Sequence, residues 1–562
     1  MNKYNINGRT RAQESTHAIE RLYITMRHFL NRGFYKPMGV SGQALREALL
    51  FLRPEIYGSI AEEKLELNGL LYIVDRLPEG IEECRFINLT SAEGYKNSHF
   101  KAIIPPKRRR NCYRIDEEQM NIEITRGRSE IYDILTHLTF LFIESQKIMR
   151  TVLVDEEGNT TRDWLKLKTA ANKTQLNEVE REVALTHLAN ILGHPFEYLK
   201  VIYQQFSTPE NEDRFLHLIY NMGKMAIEEI LQDKKRVITF TPMLRERLGH
   251  HIHGEMWANK IKRTLAENNL HQRKIHIISA NMHSVMNTLY APLTFGKEMQ
   301  KKKALAIYEE LSDADNHQKR EKIEKTALER GMFYIEDESG TNINVQLFDT
   351  AQLNHTQKRF SIKNKEEAPV IIVMDYAFGE QAYETMDELL RPFIYENKEY
   401  RMKVDSISIM GKAGILDGDK GDIMIPNAHL FEGTADNYPF KNELKKEDFK
   451  NQDLQIFAGP MVTVLGTSLQ NKDVLQFFRD STWDVVGLEM EGAHYQKAIQ
   501  AASKLRDSIS PDVKVRYAYY ASDNPLKTGS TLASGGLGTT GVKPTYLITE
   551  KILKQIFKEA NS

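Results

Sequence analysis

The sequence contains little cysteine, no long apolar run and almost no net charge. Its 562 residues include two cysteines, Cys84 and Cys112, which are too few for a disulfide framework or a cysteine-rich zinc site. No segment reaches the roughly 18 consecutive apolar residues that a membrane-spanning helix needs, so no membrane partner is expected. Because 76 Lys and Arg stand against 77 Asp and Glu, the net charge is −1, and no general attraction to nucleic acid is expected.

The length and the first residues narrow the class of protein. At roughly 100–200 residues per domain, the chain is expected to form at least two domains, and 41% hydrophobic residues are enough to fill their interiors. The N-terminal sequence MNKYNINGRTRAQES is polar and lacks the apolar core of a signal peptide. Together with the few cysteines, this predicts a cytoplasmic protein in a reducing compartment.

Apolar residues at helical spacing dominate the first 350 positions. Helices are predicted at 11–31, 41–52, 129–150, 176–193, 196–206, 212–232, 255–267 and 318–331. Short strands are predicted at 70–74, 101–104, 151–154 and 274–278. We therefore expect residues 1–350 to form a mainly α-helical domain, for which a regulatory role and binding of a substrate phosphate are the alternatives.

The pattern changes at 338–368, a stretch without long periodicity that is predicted to separate two domains. Beyond it, short apolar runs alternate with helical segments. Strands are predicted at 369–374, 403–410, 421–426, 454–466, 484–490 and 513–522, and helices at 379–391, 471–480, 491–505 and 545–560. Strands separated by helices predict an α/β domain over 367–562 with a largely buried sheet.

Two carboxylates end one predicted strand, in the sequence VVGLEMEGA at 485–493. Glu489 and Glu491 are two residues apart, so their side chains are expected on the same side of the strand end. An ionised carboxylate only accepts hydrogen bonds, which suits the hydroxyl groups of a sugar. The alternative is that both acids belong to the first turn of a helix, where negative charge interacts favourably with the helix dipole.

An aspartate ends the next predicted strand, in ASDNP at 521–525. Asp523 precedes Pro525, which favours an extended turn at the residue before it. Partial burial would raise the pKa of such a carboxyl and make it a usable general acid near neutral pH. The alternative for Asp523 is a purely structural Asx turn.

Two glycine-rich segments differ in what they predict. In IMGKAG at 409–414, small residues after a strand let backbone N–H groups face an anion, and Lys412 adds a positive charge; the order of a Walker phosphate loop is absent. GLGTTG at 536–541 has the letters of a dinucleotide motif, but no second strand with an acidic residue follows it. A glycine-rich lid is the preferred interpretation of this loop, and no cofactor is expected.

The histidines and the basic segments give weaker signals. HHIHGE at 250–255 lacks the spacing of HExxH, so no metal site is expected. PPKRRR at 105–110, and Arg126 with Arg128 before a predicted helix, are candidate sites for an anion such as a phosphate effector. Because the whole chain is neutral, these short runs do not predict a nucleic-acid partner.

In their order along the chain, these motifs resemble the nucleoside phosphorylase/nucleosidase superfamily. The shared features are GKAG at 411–414, GDIMIP at 421–426, Glu432-Gly433-Thr434 with Tyr438, EMEG at 489–492, and Ser522-Asp523 after a strand. The resemblance covers roughly 367–562. It implies a three-layer α/β domain with a central mixed sheet, assembly into homo-oligomers, and a small-molecule purine nucleoside or nucleotide as the binding partner.

The resemblance also implies roles for the matching residues at the sugar. Glu491 is expected to bind the ribose 2′- and 3′-hydroxyls, Met490 to pack under the sugar, and Glu489 to support the same pocket. When an N-glycosidic bond breaks, positive charge develops on the ribose, and a carboxylate below the sugar stabilises it.

At the base, the resemblance implies that Asp523, next to Ser522, donates a proton towards the purine N7. Such an acid relieves the negative charge that develops on the leaving base. The segment 465–470 matches the part of family members that contacts the base, and Leu469 and Gln470 are the candidates there. Gly411 and Lys412 are the candidates for anion contact.

The chain departs from the phosphorylases where they hold phosphate. These enzymes place an arginine two residues before the first glycine of the GKAG-like loop; here that residue is Ile409, and Lys412 replaces the usual loop serine. This favours hydrolysis over phosphorolysis. A hydrolase needs a base for water, for which Asp375 and Glu380 in MDYAFGEQAYE are the alternatives and Glu380 is preferred.

Among the hydrolases of the superfamily, the AMP nucleosidases also carry a large N-terminal domain and a non-serine residue in this loop. By this analogy of architecture, Lys412 is expected to contact the 5′-phosphate of a nucleotide. The predicted activity is hydrolysis of AMP to adenine and ribose 5-phosphate. A purine nucleoside phosphorylase and a non-catalytic nucleotide sensor are the alternative hypotheses.

Overall fold

The computed structural model describes residues 11–173, 175–209, 211–296, 304–353, 360, 362–450, 453–527 and 538–561. The contacts within the chain divide it into two compact units. The first comprises Met1–Thr125, Glu130–His250 and Ser468–Asn471, and the second comprises Arg126–Ser129, His251–Thr467 and Lys472–Ser562. Within the described residues, no helix has the length and apolar character needed to cross a membrane.

The first unit combines nine helices with a small mixed sheet among its described residues. The helices are α1 Arg11–Arg32, α2 Val40–Leu52, α3 Leu67–Val74, α4 Gly127–Val152, α5 Arg162–Ala171, α6 Glu178–Leu192, α7 Phe196–Phe206, α8 Arg214–Leu231 and α9 Pro242–Gly249. The first three residues of α4 group with the second unit. The strands are β1 Phe34–Tyr35, β2 Phe86–Thr90, β3 Ala102–Ile103, β4 Cys112–Arg114, β5 Gln119–Glu123 and β6 Val237–Phe240, in the order β1-β6-β2-β5-β4-β3.

One of the strands predicted in this region is helical instead, and another is helical in its first half. Residues 70–74 lie in α3, whose start is held by the Glu66 side chain, which accepts hydrogen bonds from the backbone N–H groups of Asn68 and Gly69. The helix α4 extends to Val152 and takes up the start of the predicted strand 151–154. Short apolar runs do not distinguish a strand from a buried helix, and here the helical alternative is found.

The second unit contains a ten-stranded mixed sheet among its described residues. Its strands are β7 Lys274–Ser279, β8 Met332–Ile335, β9 Val345–Asp349, β10 Val370–Met374, β13 Lys403–Ile415, β14 Ile423–Phe431, β15 Asn437–Pro439, β16 Ile456–Thr463, β17 Gly487–Glu489 and β18 Lys514–Asp523, with a separate hairpin of β11 Phe393–Tyr395 and β12 Lys398–Tyr400. The order is β15-β14-β16-β17-β13-β7-β10-β9-β8, and β18 pairs with both β13 and β14.

Helices cover both faces of this sheet. They are α10 Ile252–Glu267, α11 Ser284–Thr294, α12 Ala304–Ser312, α13 His317–Glu329, α14 Gln381–Leu389, α15 Lys472–Asp480, α16 Gly492–Gln500 and α17 Val542–Ala560. Alternate residues of a strand point to opposite faces, and accordingly Ile277 joins the core cluster with α10, α14 and α16, whereas Ile278 joins the cluster with α11, α13 and α17. The expected α/β architecture with a mixed central sheet is confirmed.

The division of the chain differs from the boundary expected at 338–368. The strand β7 pairs in parallel with β10 and with β13, and β8 and β9 extend the same sheet beyond β10. About 100 residues expected in the N-terminal domain therefore belong to the second unit. The helices that surround these three strands gave the region its helical periodicity, and strands of four to six residues contribute little to such a pattern.

Candidate active site

Three neighbouring parallel strands of the second unit end at the same level. In the register of the sheet, Phe431 of β14 lies opposite Thr463 of β16, which lies opposite Glu489 of β17. The carboxyl ends of parallel strands form the edge at which open α/β sheets bind ligands. The segment EMEG therefore enters this edge at Glu489 and continues into α16, which begins at Gly492.

The side chain of Glu489 is committed to contacts within the protein. Its carboxylate accepts hydrogen bonds from the hydroxyl of Thr463 and from the backbone N–H groups of Glu491 and Gly492, and His429 Nδ1 lies 3.5 Å from its Oε1. Burial opposes ionisation, but His429 and these hydrogen bonds outweigh it and lower the pKa of Glu489. Glu489 thus holds the first turn of α16 from the end of β17, whereas the helix-turn alternative had placed both acids in that turn.

Of the two carboxylates at this edge, Glu491 is the one that can accept further hydrogen bonds. Its Oε1 accepts a hydrogen bond from the backbone N–H of Gly379 over 3.0 Å. Burial and the nearby charge of Glu489 raise the pKa of Glu491 to about 8. Met490, between the two acids, is half-buried against the apolar cluster of Leu430 and Val464. The two acids therefore differ in environment although they are two residues apart.

The loop after β10 brings Glu380 to the same place. The backbone N–H of Glu380 donates to Ser129 Oγ over 2.8 Å, and Arg128 Nη1 donates to Glu380 Oε1 over 2.9 Å. Gly379 has φ +55°, and a Cβ there would lie 2.4 Å from Ser129 Oγ, so this position requires glycine. Because Gly379 also binds Glu491, the loop holds Glu380 next to the sugar-binding candidate.

Asp375, the alternative to Glu380, is half-buried at the start of the same loop. Its Oδ1 accepts a hydrogen bond from the backbone N–H of Tyr376 over 2.8 Å. No hydrogen bond in the described part of the chain joins the Asp375 carboxylate to Glu491. The hydrogen bond to Glu491 comes from the backbone of Gly379, the neighbour of Glu380, and the role of Glu380 as the base stays a prediction.

Asp523 ends β18 in a buried position with one oxygen unsatisfied. It is 3% exposed, Ser522 Oγ lies 2.6 Å from its Oδ1, and its Oδ2 has no hydrogen-bond partner in the ranges that the structure describes. Burial raises the pKa of Asp523, although the Ser522 hydrogen bond and the charges of Lys420 and Lys412 oppose the change. A carboxyl in this state can carry a proton for transfer.

The register relates Asp523 to the EMEG segment. Gly414 of β13 lies opposite Asp523 on one side and opposite Leu488 on the other. Adjacent strands are about 4.8 Å apart, so the backbones of the two flanking strands are separated by roughly 10 Å at this level. The two acidic strand ends therefore lie near each other, with β13 between them.

The segment with Gly411 and Lys412 is a strand and not a loop. The strand β13 continues to Ile415, and Gly411 and Lys412 pair with Tyr519 and Tyr520 of β18. The expectation of a backbone loop that faces an anion is therefore wrong at this point. The sequence GKAG suggested a loop because of its glycines, but glycine is accepted in a strand where neighbours approach closely, and a Cβ at Gly411 would lie 3.3 Å from the Tyr376 ring. Lys412 is exposed, and its contact with a phosphate stays a prediction.

Leu469 and Gln470 lie in a segment that groups with the first unit. Leu469 ends a short 3₁₀ helix, Thr467–Leu469, and the carbonyl of Gln470 accepts a hydrogen bond from the backbone N–H of Glu55 over 2.9 Å. Their contact with a base stays a prediction. Of the loop predicted to act as a lid, GLGTTG at 536–541, residues 536 and 537 lie outside the described residues, and Gly538–Gly541 form a short 3₁₀ helix; its role as a lid stays a prediction.

Several side chains at the site were not anticipated as part of it. His429 and Thr463 contact Glu489, and Ser129 contacts the Gly379–Glu380 loop. The strand β14 was expected to end at Pro426 but runs to Phe431, which hid the inward position of His429. The contact of Ser129 with Glu380 spans 251 residues, and no local pattern signals it.

Two groups of side chains in the described ranges have spacings that a metal ion could use, His251 with Asp387 and Glu388, and His276 with Asp405 and Glu559. In the first, Arg391 already pairs with both carboxylates, at 2.8 and 3.1 Å. In the second, Arg516 and Lys514 pair with Glu559. These cations neutralise the carboxylates, so neither group is assigned as a metal site.

Comparison with known proteins identifies the family. A profile described as a family of unknown function (DUF6909) matches residues 43–310 and 296–558. The chain belongs to this family. No curated protein matches the sequence.

Solved structures with a weak likeness to this DUF6909 chain include nucleosidases and a hydrolase. They include the Campylobacter jejuni 5′-methylthioadenosine/S-adenosyl homocysteine nucleosidase (13% identity, TM-score 0.30, covering 51% of this chain and 99% of that one) and the futalosine hydrolase of Helicobacter pylori (13%, 0.30, 51% and 99%). A third is the Neisseria meningitidis 5′-methylthioadenosine/S-adenosylhomocysteine nucleosidase (11%, 0.30, 50% and 99%). Likeness at this level does not define an activity.

Proposed function

We propose that the second unit hydrolyses the N-glycosidic bond of a purine nucleotide, converting AMP to adenine and ribose 5-phosphate. The observation that carries the proposal is the hydrogen bond between Gly379 and Glu491, which holds the Glu380 loop against the EMEG segment. With Asp523 at the end of a nearby strand, this supports the site that the resemblance to the nucleosidase superfamily implies.

Glu491 is the proposed sugar ligand. Its carboxylate would accept hydrogen bonds from the ribose 2′- and 3′-hydroxyls, and Met490 would pack against the sugar. As the glycosidic bond lengthens, positive charge develops on the ribose, and an ionised Glu491 stabilises it. Because burial and the charge of Glu489 raise the pKa of Glu491 to about 8, its ionisation at neutral pH has to be coupled to the arrival of these hydroxyl donors.

Glu380 is the proposed base. It would take a proton from the water whose oxygen bonds to C1′, while the bond between C1′ and the purine N9 breaks. Arg128 Nη1 donates a hydrogen bond to Glu380 Oε1 over 2.9 Å and so orients the carboxylate that accepts this proton. The Ser129 hydroxyl fixes the backbone of Glu380, so the base is oriented from two directions.

Asp523 is the proposed acid. It would give its proton to N7 of the departing purine, so that the purine leaves as a neutral molecule. The oxygen of water on C1′ completes the other product, ribose 5-phosphate. The Ser522 hydroxyl holds Oδ1 and leaves Oδ2 as the oxygen available to the substrate. Burial raises the pKa of Asp523, which is the direction that an acid needs.

Hydrolysis is favoured over phosphorolysis because of Ile409. In the position where phosphorylases place an arginine, Ile409 is 3% exposed within the core cluster and offers no donor to phosphate. Lys412 is proposed to contact the 5′-phosphate of the nucleotide, because it is the exposed cation of β13 nearest in sequence to the paired residue Gly414.

The test is incubation with AMP, adenosine, IMP and 5′-methylthioadenosine, with and without inorganic phosphate, while free base and sugar product are followed by chromatography. We expect adenine and ribose 5-phosphate from AMP, at a rate that does not depend on phosphate. Asp523→Asn should lower the rate by roughly 10²–10⁴, and Asp512→Asn, an exposed aspartate before β18, should not. Release of base only when phosphate is present, or unchanged release by Asp523→Asn, would refute the proposal.

A further inference from the structure

The first unit contains a cleft of about 800 Å³ that none of the residues above uses. Two helices form its walls, and residues 60–63 form its floor. The wall residues are Gln43, Arg46, Glu47 and Leu50 of α2, and Ile143, Gln146, Lys147 and Arg150 of α4. Both sets follow the spacing i, i+3, i+4, i+7, so each helix presents a single face to the cleft.

The two faces that line the cleft mix apolar and polar side chains, and each of them carries an arginine. Arg46 is half-buried, with Nη1 2.9 Å from Met38 Sδ, and Arg150 is at the exposed end. Neither forms an ion pair with any residue of the described ranges. Two guanidinium groups thus line one cavity, and neither is paired with a carboxylate of the residues that the structure describes.

The floor of the cleft is anchored. Lys147 Nζ donates to the carbonyls of Ser59 (3.4 Å) and Lys64 (3.0 Å), the residues on either side of 60–63, and it pairs with Glu144 at 2.8 Å. The side chain of Lys147 is 8% exposed, so its charge is used in holding this loop. The loop that forms the floor of the cleft is therefore held in place by contacts from α4.

The charged side chains that line the cleft differ in exposure. Arg46 is half-buried and Arg150 is exposed, as are the carboxylates of Glu47, Glu62 and Glu63. Apolar side chains complete the interior, with Ile60 and Ile143 buried. Because Lys147 is paired with Glu144, the positive charge beside the apolar wall is that of Arg46, with Arg150 at the entrance.

We propose that this cleft binds a small organic anion, with a phosphate or carboxylate head group on Arg46 and Arg150 and an apolar body against Leu50, Ile60 and Ile143. A guanidinium group matches either head group through two parallel hydrogen bonds. The volume is within the range of small-molecule sites, roughly 300–1,000 Å³. The inference is independent of the function proposed for the second unit.

Four probes with the same apolar body and different head groups test it: phenyl phosphate, benzoate, benzyl alcohol and benzamidine. Binding to the full chain is measured by saturation-transfer NMR titration. We expect phenyl phosphate or benzoate to bind with a Kd below about 1 mM, and the neutral and cationic probes to bind at least tenfold more weakly. Which of the two anions binds more tightly tells whether the head group is a phosphate or a carboxylate.

Variants locate the binding. The double variant Arg46→Gln/Arg150→Gln should weaken anion binding at least tenfold, and Arg46→Lys/Arg150→Lys, which keeps the charge and loses the planar fork, should have an intermediate effect. Arg21→Gln, an exposed arginine of α1, and Glu491→Gln should leave binding unchanged. The proposal is overturned if neither anion binds, if benzamidine or benzyl alcohol binds as tightly, or if the double variant binds like the wild type.

Discussion

Replacing Glu491 by glutamine should make the protein more stable, by an amount that depends on pH. The glutamine keeps an oxygen that can accept the hydrogen bond from Gly379, but it carries no charge. In the wild type, burial and the charge of Glu489 raise the pKa of Glu491 from 4.5 to about 8. A group whose pKa is raised on folding disfavours the folded state wherever the unfolded chain has released the proton.

The size of the effect follows from these pKa values. Below pH 4.5, Glu491 is protonated in both states, and the variant and the wild type should be equally stable. Between pH 4.5 and 8 the folded state keeps a proton that the unfolded chain loses, which disfavours folding by about 1.4 kcal/mol per pH unit. The advantage of Glu491→Gln should therefore be roughly 3 kcal/mol at pH 7 and level off near 5 kcal/mol above pH 8.

The assay is urea denaturation of the wild type and of Glu491→Gln at pH 5, 7 and 9, followed by far-ultraviolet circular dichroism. Glu366→Gln, at an exposed glutamate of the same unit, is the matched control and should give a difference that does not change with pH. The reasoning is refuted if the Glu491→Gln difference is the same at all three values, or if it shrinks as the pH rises. Base release by this variant should be abolished at every pH.

Three further substitutions test the surroundings of the site. Gly492→Ala should lower the free energy of unfolding by about 1–3 kcal/mol, measured by urea denaturation, because the added Cβ would lie 2.3 Å from Cε1 of the fully buried His429. Arg128→Gln should lower kcat for AMP by roughly 10- to 100-fold through misplacement of Glu380, with partial recovery in Arg128→Lys; an unchanged kcat would contradict the role. Lys412→Gln should raise KM for AMP about tenfold and leave KM for adenosine unchanged, and equal effects on both substrates would remove the 5′-phosphate contact.

The sequence predicts those parts of the second unit in which the apolar pattern of one strand or helix is sufficient to identify it. The buried strand β10 was expected at 369–374 and is Val370–Met374, and β18 was expected at 513–522 and is Lys514–Asp523. Central strands that are buried on both faces have continuous apolar runs, and the acidic residues that end β17 and β18 interrupt such runs. For this reason EMEG and Ser522-Asp523 could be placed at strand ends without a structure.

Contacts between distant parts of the chain could not be predicted. Arg128 was noticed as a candidate for anion binding, but its ion pair with Glu380 spans 252 residues, and nothing in either local sequence indicates the other. The extent of β13 was also missed, because Gly411 and Gly414 suggest a turn when read locally. Pairing with β18 makes this segment a strand, and that pairing joins segments about 100 residues apart.

The two acids of EMEG show why one motif can serve both structure and chemistry. Like charges so close cannot both ionise freely, and in this fold most of the nearby donors bind Glu489, whereas Gly379 binds Glu491. Glu489 receives hydrogen bonds from Thr463 and from the first turn of α16, which lower its pKa, and its charge contributes to the raised pKa of Glu491.

Pairs of groups whose pKa values are driven apart in this way can take different roles. Glu491 accepts a hydrogen bond from the backbone N–H of Gly379 but keeps a raised pKa, so we expect a hydroxyl-bearing ligand to switch it to its charged form. A ligand with two hydroxyl groups would supply Glu491 with hydrogen-bond donors of the kind that Glu489 already has within the protein. Binding of the sugar and ionisation of Glu491 should therefore occur together.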